Sequence, residues 1–213
     1  MISVDSQVCN MALSFLKVPP ITSLSSPSTE VARTCALWYD PTRKETLRQH
    51  PWNFAKERVS LGLDATSPAF GYANRYKLPA DFMRLRFIGE DNIGLQSYDY
   101  DLEQGYILID NNDGTSLDIG YIKDVTNVGE FDSLFTRCLA LTLAANMSYA
   151  VTGKLTVRRD LLSMLVSANA EARAINGQDK PPVRINRSRV IGARRKYGTG
   201  SSYREDPKRI FID

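Results

Sequence analysis

Histidine and cysteine are scarce in this sequence, and that narrows its chemistry at once. The one histidine, His50, stands in RQHPWNF with no acid, cysteine or second histidine in that stretch. A general base or metal ligand needs partners, and the proline that follows predicts a helix-terminating turn instead. Cys9, Cys35 and Cys138 are an odd number at scattered spacings, which supports neither a disulfide framework nor a zinc site. Each falls in an apolar helical pattern and is expected to be a buried, reduced thiol. No phosphate-binding glycine loop, GxSxG or HExxH occurs. DNNDG (Asp110 to Gly114) begins like a calcium loop, but its glycine comes one position early and Tyr121 stands where the bidentate Glu belongs. Asp99, Asp101 and Glu103 lie close together; a solvated acidic turn is the expectation, with a glycosidase pair as the alternative. No catalytic residue, metal or cofactor is expected, and the chain is not expected to be an enzyme. There is no unbroken run of about 18 apolar residues, so no membrane span or anchor is predicted. MISVDSQVCNMALSFLK has neither a basic leader nor a small-residue cleavage site, which predicts no secretory signal and a soluble protein made in a cytoplasm.

What is present suits an ordinary globular chain. With 213 residues, 43% hydrophobic, there is material for one sizeable domain or one domain with an insertion. The net charge of +3 hides an asymmetry. Residues 180–213 hold ten Lys and Arg against three acids, a net +7, which leaves −4 for the other 179 residues. An acidic body with a basic tail speaks of partners rather than of fold.

Apolar spacing predicts a first helix over about Ser3 to Lys17, with Val4, Val8, Met11, Ala12, Phe15 and Leu16 inward, Ser3 or Asp5 as cap, and Pro19-Pro20 as its end. A second runs from about Ser28 to Gln49 with Val31, Cys35, Trp38 and Leu47 inward. Pro41 should kink it near Ala36 to Leu37 or split it. The period then changes to two. Strands are predicted at Arg58–Leu63, Tyr72–Leu78, Phe82–Ile88, Tyr106–Ile109 and Leu117–Lys123, with YILIDNNDGTSLDIGYI as a hairpin turning at Asn112-Asp113-Gly114. These suit a small antiparallel sheet with one solvated face. Helical spacing returns at Phe131 with Leu134, Phe135, Cys138, Leu141, Ala145 and Tyr149, stopping at a left-handed Gly153. A fourth helix, capped by Thr156, carries Leu161, Leu165, Ala168, Ala172 and Ile175 inward and stops at Asn176-Gly177. The short turn between these two helices predicts antiparallel packing. The fold class is α+β: an antiparallel bundle of about four helices (1–56 and 124–177), an inserted β-sheet domain (57–123) and an extended basic arm (178–213).

Residues 178–213 contain three prolines, three glycines and no helical period, so they cannot bury enough surface to offset their ordering entropy. They also hold more apolar residues than a linker needs, which predicts an arm ordered on a partner. The candidate contact residues are Arg184, Ile185, Arg187, Arg189, Val190, Ile191, Arg194, Arg195, Lys196 and Tyr197. Arginines interleaved with apolar side chains can hold phosphate, and they can equally pair with acids across a protein interface.

Several stretches, in order, resemble one family. VCNMALSFLKVPPITSLSS, TEVARTCALWYDPTRKETLRQHPWNFAKERVSL, YKLPADFMRLRFI and YIKDVTNVGEFDSLFTRCLALTLAANMSYAVTG are similar to the podoviral tail tubular protein A family, the head-to-tail adaptors of short-tailed bacteriophages. The shared features are a helix ending before "I-x-S-L" (Pro20 to Leu24), a tyrosine at mid-helix (Tyr39), "hPWNFA" (His50 to Ala55), "LPxD" opening a strand (Leu78 to Ile88) and the "FDxLF … TG" helix (Tyr121 to Gly153). Pro41 departs from that pattern. The resemblance spans roughly residues 5 to 177. It implies a structural virion protein, a ring of about twelve copies closed by a heterologous interface. That ring would sit in the phage neck between the portal protein and the tail nozzle protein, after assembly in the host cytoplasm. Genomic DNA would pass through it without sequence-specific binding, and the C-terminal arm would grip the portal. A DNA-binding accessory protein acting through the basic tail, or a tail-associated cell-wall hydrolase, are the alternatives.

Overall fold

The computed structural model describes residues 4–89, 98–110 and 115–179. The described residues up to Gln178 form one compact unit. The candidate arm residues Arg184 to Tyr197 lie outside the described residues, as do Asn112, Asp113 and Gly114 of the expected turn.

Four helices and two small antiparallel sheets make up this unit. The helices are α1 (Val4–Phe15), α2 (Glu30–Gln49), α3 (Ser133–Thr152) and α4 (Leu155–Gln178). The strands are β1 (Lys56–Gly62), β2 (Asn74–Lys77), β3 (Phe82–Ile88), β4 (Tyr100–Glu103), β5 (Tyr106–Ile109) and β6 (Ser116–Lys123). Sheet one has the order β1-β6-β3 and sheet two the order β2-β5-β4.

α3 is the central helix. It packs against α1, α2 and α4, and its buried residues run almost all round it, from Phe135 through Leu139, Leu141 and Leu143 to Met147. By length and composition it would pass for a membrane span, but here those side chains are the core of the helical part. Asp132 caps it by accepting from the backbone N–H groups of Leu134 (2.7 Å) and Phe135 (3.3 Å), and Gly153 ends it at φ 68°. Arg137 near its start meets Glu171 near the end of α4 at 3.5 Å, so these two helices run antiparallel.

The apolar spacing found the helices but misjudged parts of their faces. Met11, Trp38, Tyr149 and Ile175 point outward, whereas Leu13 and Tyr39 are buried. α2 is capped by Thr29, whose hydroxyl accepts from Ala32 N at 3.2 Å. It continues through Pro41 without splitting. The carbonyl that proline leaves without a donor belongs to Leu37, and Leu37 is 70% exposed, so water can replace the lost bond. Thr156 lies inside α4 rather than capping it, since the helix begins at Leu155.

The expected hairpin is a larger correction. β5 pairs with β2 and β4, while β6 pairs with β1 and β3, so the two strands belong to different sheets. β4, read from sequence as an acidic turn, is the real partner of β5. Gln104 (φ 47°) and Gly105 (φ 84°) join them, two positive φ values in succession, as a tight two-residue hairpin demands.

β6 serves two cores. Leu117, Ile119 and Tyr121 face a cluster with Leu61, Tyr76, Ile107 and Ile109 between the sheets, whereas Ile122 joins the helical core. On the face of sheet one away from its own core, the Phe87 ring lies flat over Gly120. A Cβ there would meet the ring at 2.2 Å, so glycine is what allows the ring to lie down.

Just beyond β6, the Arg43 guanidinium from α2 is buried, its side chain 3% exposed. It donates to the Asp124 carboxylate, to the Val125 carbonyl at 2.6 Å and to Asp40 at 2.6 Å. Asp124 N in turn donates to Asp81 O at 2.7 Å, which ties the helices to the entry of β3. A buried cation without its carboxylate is costly, so Asp124→Ala should destabilise the fold by about 3 kcal/mol, whereas Lys44→Ala, which removes an exposed partner of Asp40, should cost under about 1 kcal/mol. Urea unfolding of the two variants side by side measures the difference.

Candidate functional site

Since the candidate contact residues lie beyond the described chain, the structure bears on the place from which that segment departs. α4 ends at Gln178, and its last turn is held by Asn176. The Asn176 side-chain oxygen accepts from Asn53 N at 2.9 Å, and its backbone carbonyl accepts from Asn53 Nδ2 at 2.8 Å. With its oxygen so engaged, the Asn176 amide NH₂ faces His50 Nε2 at 2.9 Å and Pro51 O at 3.4 Å. His50 Nε2 therefore accepts, which places the ring proton of the neutral imidazole on Nδ1.

The segment held in this way is His50 to Ala55. His50 adopts an extended conformation that ends α2, and Asn53–Ala55 form one 3-10 turn before β1. Trp52 is buried and donates from Nε1 to Thr46 O at 3.0 Å. Its ring meets His50 at 4.9 Å and Phe135 at 5.1 Å between centroids, both edge to face. Phe54 continues the cluster to Phe135 (5.0 Å) and Phe131 (5.8 Å). One short connection thus fixes the ends of α2 and α4 and the beginning of α3. His50 was legible as a turn residue. Asn176 was legible only as a helix stop, because Asn-Gly gives the same sequence signal whether or not the amide is in use.

The clamp lies among cations. Burial holds the His50 imidazole below its ordinary range, and the positive charges of Arg173, Lys56 and Arg84 push it the same way. Arg84 also donates to Arg48 O at 3.1 Å. The cysteines are buried, as the sequence predicts. Cys9 and Cys35 meet, and that hydrogen bond lowers the Cys35 thiol below its usual value, whereas burial raises Cys138. Among the described residues no group of three or more His, Cys, Asp or Glu could hold a metal. Asp101 and Glu103 stand in the edge strand β4 rather than in a turn, and both are exposed. Comparison with protein-family models and with curated proteins finds no match to this chain.

The clamp predicts a pH dependence. In the unfolded chain His50 takes up a proton near its ordinary value of about 6.5, whereas the folded site resists it, so the contribution is full above that value and is lost as pH falls toward the lower folded value. Stability measured by urea unfolding between about pH 7.5 and 5.5 should decline, and His50→Gln should flatten that slope. An unchanged slope would show that the clamp does not discriminate between the two forms of the ring.

Proposed function

We propose that this chain is a head-to-tail adaptor of a short-tailed bacteriophage, a structural subunit rather than an enzyme. In this reading 1–56 and 124–177 form a helical bundle, 57–123 an inserted β domain and 178–213 an arm. About twelve copies close into a ring between the portal and the tail nozzle, around the path of the DNA. The arm, ordered only on its partner, grips the portal through the Arg184 to Tyr197 segment.

One observation carries this reading. Some of the stretches that resemble the adaptor family, far apart in sequence, are in contact in the fold. His50 to Ala55 packs its aromatic rings on Phe131 and Phe135 of the FDxLF stretch. Asp81 of the LPxD stretch accepts from the hydroxyl of Tyr121, the first residue of the stretch that contains FDxLF, at 3.1 Å. Contact between these stretches supports reading them as parts of one pattern. The clamp adds a mechanical argument, since an arm that bears load needs a fixed root, and Asn176 supplies one three residues before Asp179.

The basic tail gives the competing reading, a DNA-binding accessory protein. Light scattering of the purified protein, alone and with the cognate portal ring, separates the two. Under the adaptor reading the chain joins the portal in about twelve copies, and truncation after Gly177 abolishes that. Failure to join the portal, together with DNA affinity that falls steeply with salt and disappears on the same truncation, would establish the DNA-binding reading instead.

A further inference from the structure

One face of sheet two packs into the core between the sheets, and the other does not. Tyr76 and Ile107 stand in one row across β2 and β5 and belong to that core. Side chains alternate, so the rows on either side, Arg75-Leu108-Asp101 and Lys77-Tyr106-Glu103, face the opposite way. The chain between β1 and β2 is pinned near this outer face at both ends. Asp64 N donates to Arg75 O at 3.0 Å, and Ala73 N donates to the Asp110 carboxylate at 2.7 Å. Between the loop and the sheet is a cavity of about 340 Å³, a size that suits a small molecule. Tyr106 and Leu108 line it from the sheet, Phe70 and Tyr72 from the loop.

The walls are aromatic and acidic. The loop turns at Gly71 (φ 91°), a conformation glycine adopts without strain, and Phe70 and Tyr72 on either side of it both reach the cavity. Phe70 is 89% exposed. Asp99, Asp101 and Glu103 come at alternate positions into and along the edge strand β4, so they fall on one side about 7 Å apart. Asp101 and Glu103 line the cavity, and Asp99 accepts from the Tyr72 hydroxyl at 3.4 Å. The Asp101 carboxylate accepts only from the backbone N–H of Leu102 at 2.7 Å, and no described residue pairs with Glu103. Arg75 also lines the cavity, but its charge is met by Asp64 at 2.9 Å. Arg75 and Lys77 stand two strands from Asp101 and Glu103, about 10 Å away at the ordinary strand spacing. The β4 carboxylates therefore keep their charge, and the Tyr72 phenol registers it. Loss of water raises that phenol above its ordinary value, and the negative charges of Asp99, Asp101 and Asp110 raise it further.

We propose that this cavity binds a linear aliphatic diamine, its ammonium groups on the carboxylates of Asp101 and Glu103 and its methylene chain along Phe70 and Tyr72. Carboxylates without a cationic partner attract ammonium groups, which donate charge-assisted hydrogen bonds to them. An aromatic face beside them adds cation–π attraction and apolar contact. Acids repeated at about 7 Å along a strand match two ammonium groups held apart by a short methylene chain better than one metal ion, whose ligands must converge on a point. Arg75 shows the same kind of seat in use within the chain, its guanidinium 4.6 Å from the Tyr106 ring centroid and beside Asp64. This site goes beyond the adaptor reading and does not depend on it.

Isothermal titration calorimetry of the whole chain with diaminobutane at low salt tests the proposal, with butylamine and butanediol as the singly charged and neutral counterparts. The diamine should saturate at one per chain, butylamine should bind at least about tenfold more weakly, and butanediol should give no saturable heat. Asp101→Asn with Glu103→Gln keeps the shape of two exposed side chains and should weaken the diamine by at least about tenfold. Phe70→Ala should weaken it about threefold. Thermal unfolding confirms that each variant is folded. A wild type that shows no saturation, butanediol binding as the diamine does, or an amide variant that binds unchanged would each overturn the proposal. Diamine binding untouched by Phe70→Ala would overturn it too, because charge alone would then hold the ligand at no defined seat.

Discussion

A tryptophan side chain has to be kept from water over most of its surface while its one polar atom is given an acceptor, and the arrangement that does this for Trp52 organises the rest of the chain. The acceptor is the carbonyl of Thr46 in the last turn of α2, so the chain must fold back sharply at His50-Pro51. The ring is then presented to Phe135 at the start of α3 and to Phe54 beyond it. Because α3 is apolar on nearly every side, α1, α2 and α4 must all cover it, and their places follow. Hydrophobic burial supplies most of the free energy. The hydrogen bonds of the Asn176 and Arg43 groups supply the register, since a buried polar group out of place costs more than a methyl group out of place.

How much of this was legible depended on whether the deciding contact was local. β3 and β5 fall where their two-residue alternation places them, and Gly153 ends α3 where a residue tolerant of positive φ appears. Pairing is another matter. β5 and β6 are separated by a plausible turn, yet each finds its partners in a different sheet, and their inward residues Ile107, Ile109, Leu117 and Ile119 meet in one cluster between the sheets. β4 was hidden because an exposed edge strand has no buried face, so its alternation of acids with Tyr100 and Leu102 resembles a solvated loop. Met11, Trp38 and Tyr149 were placed inward by their helical apolar spacing, and such side chains are also common on surfaces that other molecules cover. The candidate contact residues were a reading of composition, and composition says nothing of geometry.

The functional reading has the same structure as the fold. Chemistry-bearing residues are few, and those present are occupied in holding the chain together: His50 in the clamp, the cysteines in the core, Arg43 in a buried ion pair. Among the described residues the outward surface includes large apolar side chains such as Leu37, Phe70 and Val166, which suits the adaptor reading proposed above. The end of α4 is braced by the hydrogen bonds between Asn176 and Asn53, which is where the proposed arm would be rooted.

Tyr121 and Ile122 are neighbours in β6, yet one belongs to the core between the sheets and the other to the core among the helices. There is consequently no length of free chain along this strand that could act as a hinge. A push delivered to the sheets arrives at the helices within one peptide bond, and it is met there by the Arg43–Asp124 tie. The helices and the sheets are thus coupled through a strand rather than through a linker, and in the proposed ring that strand would carry load from one to the other.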